Sequence, residues 1–138
     1  LYSSAASDVY KRQVDPLVKV PVMSQPSLPF PIGKKRKKDI DTSKKDLSIV
    51  RERIENENLC VIGLRFSDDK FSPGDRFKSL KETLGDGFLG IEIDSSELNP
   101  NGISQSAHSV LTTDFSDVAG HPTLDAYETI IEHFKARL

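Results

Sequence analysis

The chain has no second cysteine, no excess of charge and no long apolar run, and each absence excludes something. With Cys60 alone among 138 residues, no disulfide can form within the chain, and a reducing, cytoplasmic setting is expected. Nineteen basic and 21 acidic residues leave a formal net charge of −2, so the overall balance predicts neither a polyanionic partner nor a membrane surface. No stretch reaches the roughly 18 apolar residues of a membrane-spanning helix, and the start of the chain lacks the charged-then-apolar layout of a signal peptide. A soluble protein is expected. The first residue is Leu, not Met. Residues 1–13, LYSSAASDVYKRQ, read like a translated adaptor sequence that packs against nothing, and they stay outside the fold reasoning.

What remains suits one compact core and is too short for two ordinary domains, at 36% hydrophobic residues. Residues 14–138 therefore read as one unit, in which short apolar runs alternate with helical periodicities. Residues 18–23, VKVPVM, predict a short strand, and the prolines at 26, 29 and 31 in SQPSLPFPIG then predict an ordered loop. GKKRKK at 33–38 is expected to be a solvated basic loop. Ser43 opens a capping-box-like start, with Leu47, Val50 and Ile54 on one face, so a helix is predicted over about 43–56. Residues 59–66 are apolar on both faces, as in the strands of a parallel sheet. Ser72 as cap and Pro73 at the first helical position predict the next helix, with Phe77, Leu80 and Leu84 on its apolar face, stopped by GDG at 85–87. FLGIEI at 88–93 predicts a third strand. After a loop from Asp94 to about Asp117, a final helix is predicted with Leu124, Tyr127, Ile130, Ile131, Phe134 and Leu138 on one stripe. The expected class is α/β, with three parallel strands, flanking helices and an incomplete sheet.

In such a fold, chemistry is expected at the carboxyl ends of strands. Asp68 and Asp69 follow the second strand, and His108 lies in the loop after the third. A histidine that takes a nucleophile's proton needs a carboxylate on its other nitrogen, to hold the tautomer and stabilise the imidazolium. His121 and His133 follow no strand and are expected to be structural or solvent-facing. Cys60 lies inside a strand and is expected to be a buried structural thiol. GKKRKK invites a nucleic-acid reading, but no aromatic stacking pattern accompanies it, and a solvated surface is expected instead.

Several segments carry a more specific likeness. VDPLVKVPVMSQPSLPFPIGKKRKKD, CVIGLRFSDDKFSPGDRF, GDGFLGIEIDSS, AHSVLT and GHPTLDA together resemble the C-terminal portion of a dienelactone-hydrolase-like α/β hydrolase, over about residues 14–138. The resemblance implies that Asp69, four residues before Pro73, is the acid of a catalytic triad in preference to Asp68, and that His108 is its histidine. It implies a hydrolase of carboxylic esters or lactones, acting on a small-molecule substrate, with no cofactor, no metal, no nucleic acid and no membrane partner. Neither G-x-S-x-G nor G-x-C-x-G occurs in the sequence, so the nucleophile elbow is expected outside these residues, and the chain by itself is expected to be inactive and poorly stable. Dienelactone-processing members carry an arginine shortly after the histidine. Here Ser109, Val110, Leu111 and Thr112 follow, which leaves the substrate open. The alternatives are a non-catalytic scaffold of the same fold and an anion-binding protein that uses GKKRKK.

Overall fold

The structure, a computed structural model, describes residues 14–26, 33–38 and 43–138, with side chains omitted at 36–38. The elements in chain order are β1 (Val22–Ser24), α1 (Gly33–Lys38), α2 (Lys44–Glu57), β2 (Val61–Phe66), α3 (Gly74–Leu84), a 3₁₀ turn (Gly85–Gly87), β3 (Phe88–Ile93) and α4 (Pro122–Lys135). The strands form an open parallel sheet in the order β1-β2-β3. The three predicted strands and their flanking helices are therefore present. Most of the SQPSLPFPIG loop, and the prefix, lie outside the described residues.

β2 is the central strand, which is why all six of its residues are buried. Its period of two splits the core. Val61 packs with Val50, Phe77, Leu80 and Phe88, under α2 and α3. Ile62, Leu64 and Phe66 face the other way, toward Val110, Ala126 and Ile130 of the last loop and α4. Both connections between strands run over one face through α2 and α3, as right-handed crossovers between successive parallel neighbours require, and α4 covers the opposite face.

Gly63 sits where the two phenyl rings converge. Phe77 and Phe88 meet edge to face at 5.5 Å, and a Cβ on Gly63 would stand 2.9 Å from both rings. Gly63→Ala is expected to destabilise the fold by roughly 1–3 kcal/mol through overpacking. A urea titration followed by circular dichroism measures it as a lowered midpoint at unchanged slope.

Local chemistry accounts for the places where element ends differ from the sequence reading. β1 begins at Val22, not at 18, because Asp15 turns the chain: its carboxylate accepts from Leu17 N–H and its carbonyl from Val18 N–H. Pro21 has no N–H to give, but its carbonyl accepts from Ile62 N–H at 2.9 Å and opens the ladder. Gln25, at φ 45°, ends the strand. GKKRKK is a short helix lying against α3, not a loop, in keeping with the helix propensity of Lys and Arg. In α2, Ser43 caps as expected, its hydroxyl accepting from Asp46 N–H at 3.1 Å.

Ser72 does not cap α3. Its N–H points at the Asp69 carboxylate and its carbonyl accepts from Arg65 Nε at 2.6 Å. That fixes the chain one residue short of capping geometry, leaves Pro73 at the cap position and buries the Ser72 hydroxyl without a partner. α4 turns part of the predicted stripe inward: Ile130 is buried and Phe134 packs against the same core, joined by Thr123 and Ala126, while Tyr127 and Leu138 are exposed. The Thr123 hydroxyl accepts from Ser116 N–H and donates to Ser116 carbonyl, and this clip sets which side of the helix meets the sheet. Among the described residues no helix is long and apolar enough to cross a membrane.

Candidate active site

The site is assembled at the carboxyl edge of the β2–β3 pair. Beyond Phe66 the pairing continues for one residue, Ser67 N–H donating to Ile93 carbonyl at 2.8 Å. The two strand exits are then stitched together by serines. Ser95 N–H donates to Ser67 Oγ at 3.0 Å, and Asp68 N–H donates to Ser95 Oγ at 3.0 Å. Arg65, buried at the end of β2, braces the turn from below. Its Nη2 donates to Ser67 carbonyl at 2.8 Å, its Nε to Ser72 carbonyl, and Nη1 pairs with Glu92. One guanidinium thus grips both flanks of the turn that carries Asp69.

Within that turn both oxygens of Asp69 are engaged. Oδ1 accepts from Phe71 N–H at 2.9 Å and from Ser72 N–H at 3.3 Å. Oδ2 lies 2.6 Å from His108 Nδ1. A carboxylate only accepts hydrogen bonds, so the bond is complete when Nδ1 carries the proton, which leaves Nε2 with its lone pair available as a base. Nε2 has no hydrogen-bond partner among the described residues. The acid's side chain is 2% exposed and the histidine's 35%, so the carboxylate is hidden while the imidazole is partly exposed. Phe71 sets its ring edge-to-face with the imidazole at 5.9 Å.

Asp68 serves elsewhere. Its carboxylate accepts from Gln105 Nε2 at 3.1 Å, across a cavity of about 320 Å³ between residues 68–71 and 105–107. The cavity lies beside the acid–histidine pair, with Phe71 and Ala107 as apolar wall and Lys70 and Asp68 as charged ones. The cavity volume is within the range of small-molecule sites.

His108 reaches its place from a loop that is long but braced. Asn99 closes residues 96–103 by donating to the carbonyls of Ser96 and Ile103 and accepting from Ile103 N–H. Ala107 and Val110 are buried on either side of the histidine and set its depth. The other candidates are placed apart. His121 caps α4 through Nδ1, and His133 Nδ1 lies 2.9 Å from Arg137 Nη1. Cys60 is buried among Ile62, Ala126 and Ile130, and burial pushes its thiol up from the ordinary value, with the Arg137 charge partly opposing the shift. A thiol so placed is a poor nucleophile. Cys60 is expected to react with a disulfide reagent such as DTNB only as fast as the chain opens, and at once in strong denaturant; rapid native-state labelling would contradict its burial. Among the described residues, no group of three His, Cys, Asp or Glu side chains is placed to hold a metal ion.

Sequence reasoning missed Arg65, Ser95 and Phe71. Arg65 and Ser95 act on backbone groups of the turn after β2, and no local pattern marks such contacts. Compared with family models, with curated proteins and with solved structures, the chain finds no match.

Proposed function

We propose that Asp69 and His108 are the acid and histidine of a triad in a dienelactone-hydrolase-like α/β hydrolase, which cleaves a carboxylic ester or lactone with a nucleophile supplied from outside this chain. The observation that carries the reading is the 2.6 Å contact between Asp69 Oδ2 and His108 Nδ1, with the histidine side chain partly exposed and its Nε2 unpartnered among the described residues. In the reaction, Nε2 takes the proton of the nucleophile as the latter attacks the acyl carbon. The tetrahedral intermediate collapses, the C–O bond breaks, and Nε2 returns the proton to the leaving oxygen. A water then gives its proton to Nε2 and attacks the acyl carbon; the bond from that carbon to the nucleophile breaks, and Nε2 returns the proton to the nucleophile as the acid leaves. Asp69 keeps Nδ1 protonated throughout and stabilises the imidazolium. A lone buried thiol suits a reducing cytoplasm as the place of action.

The test is turnover of small aryl esters and lactones by a protein in which this chain is joined to a segment that carries a Ser or Cys elbow. Activity lowered by several orders of magnitude in His108→Ala supports the reading, and wild-type turnover in that variant overturns it. Residues 1–138 alone are expected to show no turnover that depends on His108.

A further inference from the structure

The ring of His108 is oriented by Asp69, but its backbone is held by a residue the triad does not use. Asp114 Oδ2 accepts from His108 N–H at 2.9 Å and from Ser109 N–H at 2.8 Å. The grip is reciprocal, since Asp114 N–H donates to Ser109 carbonyl at 3.1 Å, and Thr112 N–H reaches the same carbonyl at 3.3 Å. The segment from 108 to 114 is thereby closed on itself. Asp114 is half-buried, and no cation pairs with it among the described residues. Among the described residues its carboxylate accepts from those two amides, both at Oδ2. Such charge-assisted bonds are roughly twice as strong as neutral ones.

The need for them follows from the loop. Between β3 and α4 the chain forms no helix or strand, and backbone of that kind is ordinarily the most mobile part of a fold. Ala107 and Val110 fix how deep the segment lies, and Asp69 fixes the Nδ1 side of the ring. Neither determines the tilt of the peptide planes on either side of His108, which aims the Cα–Cβ bond and hence Nε2. The two amides bound by Asp114 belong to those planes.

We propose that Asp114 is a positioning residue for His108, holding the peptides at 108 and 109 so that Nδ1 meets Asp69 and Nε2 faces outward. Its purpose rests on the hydrolase reading, whereas its geometry is independent of any turnover. In a working enzyme, a displacement near 1 Å at the base is enough to lose about 100-fold in rate.

The experiment uses the elbow-bearing protein of the turnover test and reads the ring ¹⁵N shifts of His108 by NMR, which report the tautomer. The unmodified protein is expected to hold the Nδ1–H form. Asp114→Ala is expected to give an average of both tautomers while the amide signals of β2 and β3 stay in place, and Asp114→Asn, which keeps an acceptor oxygen at the same position, is expected to restore the single form. An unaltered tautomer in Asp114→Ala overturns the proposal. A mixture already present in the unmodified protein would instead sink the acid–histidine pair on which the hydrolase reading stands. Should Asp114→Ala not fold, amide exchange in the unmodified protein decides. His108 and Ser109 are expected to exchange at least about tenfold more slowly than the exposed Gln105, and equal rates overturn the assignment.

Discussion

Replacing Asp69 with asparagine is expected to lower ester turnover by about ten-thousand-fold in the elbow-bearing protein, with KM little changed. The side chain would keep its shape and its place, with one oxygen still accepting from Phe71 and Ser72 N–H. The atom facing His108 Nδ1 would then be an amide nitrogen. An N–H donor there forces Nδ1 to be the acceptor, so the proton moves to Nε2 and the base is lost. Folding stability should change little by comparison, because the substitution removes no volume. The two effects are separable: steady-state kinetics gives the first and thermal unfolding the second. Loss of stability in step with activity would mean that Asp69 is a turn residue and nothing more.

The second large effect is expected at Arg65. Arg65→Met retains much of the aliphatic bulk against the Phe77 ring, which the guanidinium carbon now approaches at 6.0 Å, but it deletes every donor. The carbonyls of Ser67 and Ser72 lose their partner. A buried acceptor left unpaired costs about 1–3 kcal/mol, so a destabilisation of about 3 kcal/mol is expected. Glu92, 54% exposed on its side chain, can turn to solvent and contributes little. Urea unfolding of the variant beside Glu92→Gln separates the contributions. If Glu92→Gln proves equally damaging, the ion pair and not the carbonyl grip is what Arg65 supplies.

The parts of the fold that were legible in the sequence are those in which pattern and environment agree. β2 reads as buried because every residue of it is apolar or small except Arg65, and α2 reads as a helix because its cap and its apolar spacing coincide. β1 was misplaced because a run of valines outweighed Pro21 and the Asp15 turn, whose effects are hydrogen bonds and not hydropathy. The face of α4 is legible only in part, through Ile130 and Phe134, for a related reason. Helical spacing offers two apolar lines, and the choice between them is made by Thr123 and Ser116, a polar clip across a loop. At the site, strand order brings Asp69 and His108 to one edge, and their spacing in the chain says nothing of the distance between them. Arg65, Ser95 and Asp114 were illegible because each binds peptide groups, which every residue has and no sequence motif advertises.

The pairing register of β2 with β3 ends at Phe66 opposite Ile93, and this has a meaning for how the gene can change. The two strand exits that lead to the acid and to the histidine are aligned by that ladder, as two rulers are aligned by one mark. Adding one codon within β3 would exchange the faces of the residues beyond it, bury Glu92 where Ile93 now sits and disalign the pair without touching either member. Lengthening the exposed stretch at 117–120 lies beyond the mark, and chain entropy there rises only with the logarithm of length. Variation in length among working descendants of this chain should therefore gather between Asp114 and His121, and stay out of the strands altogether.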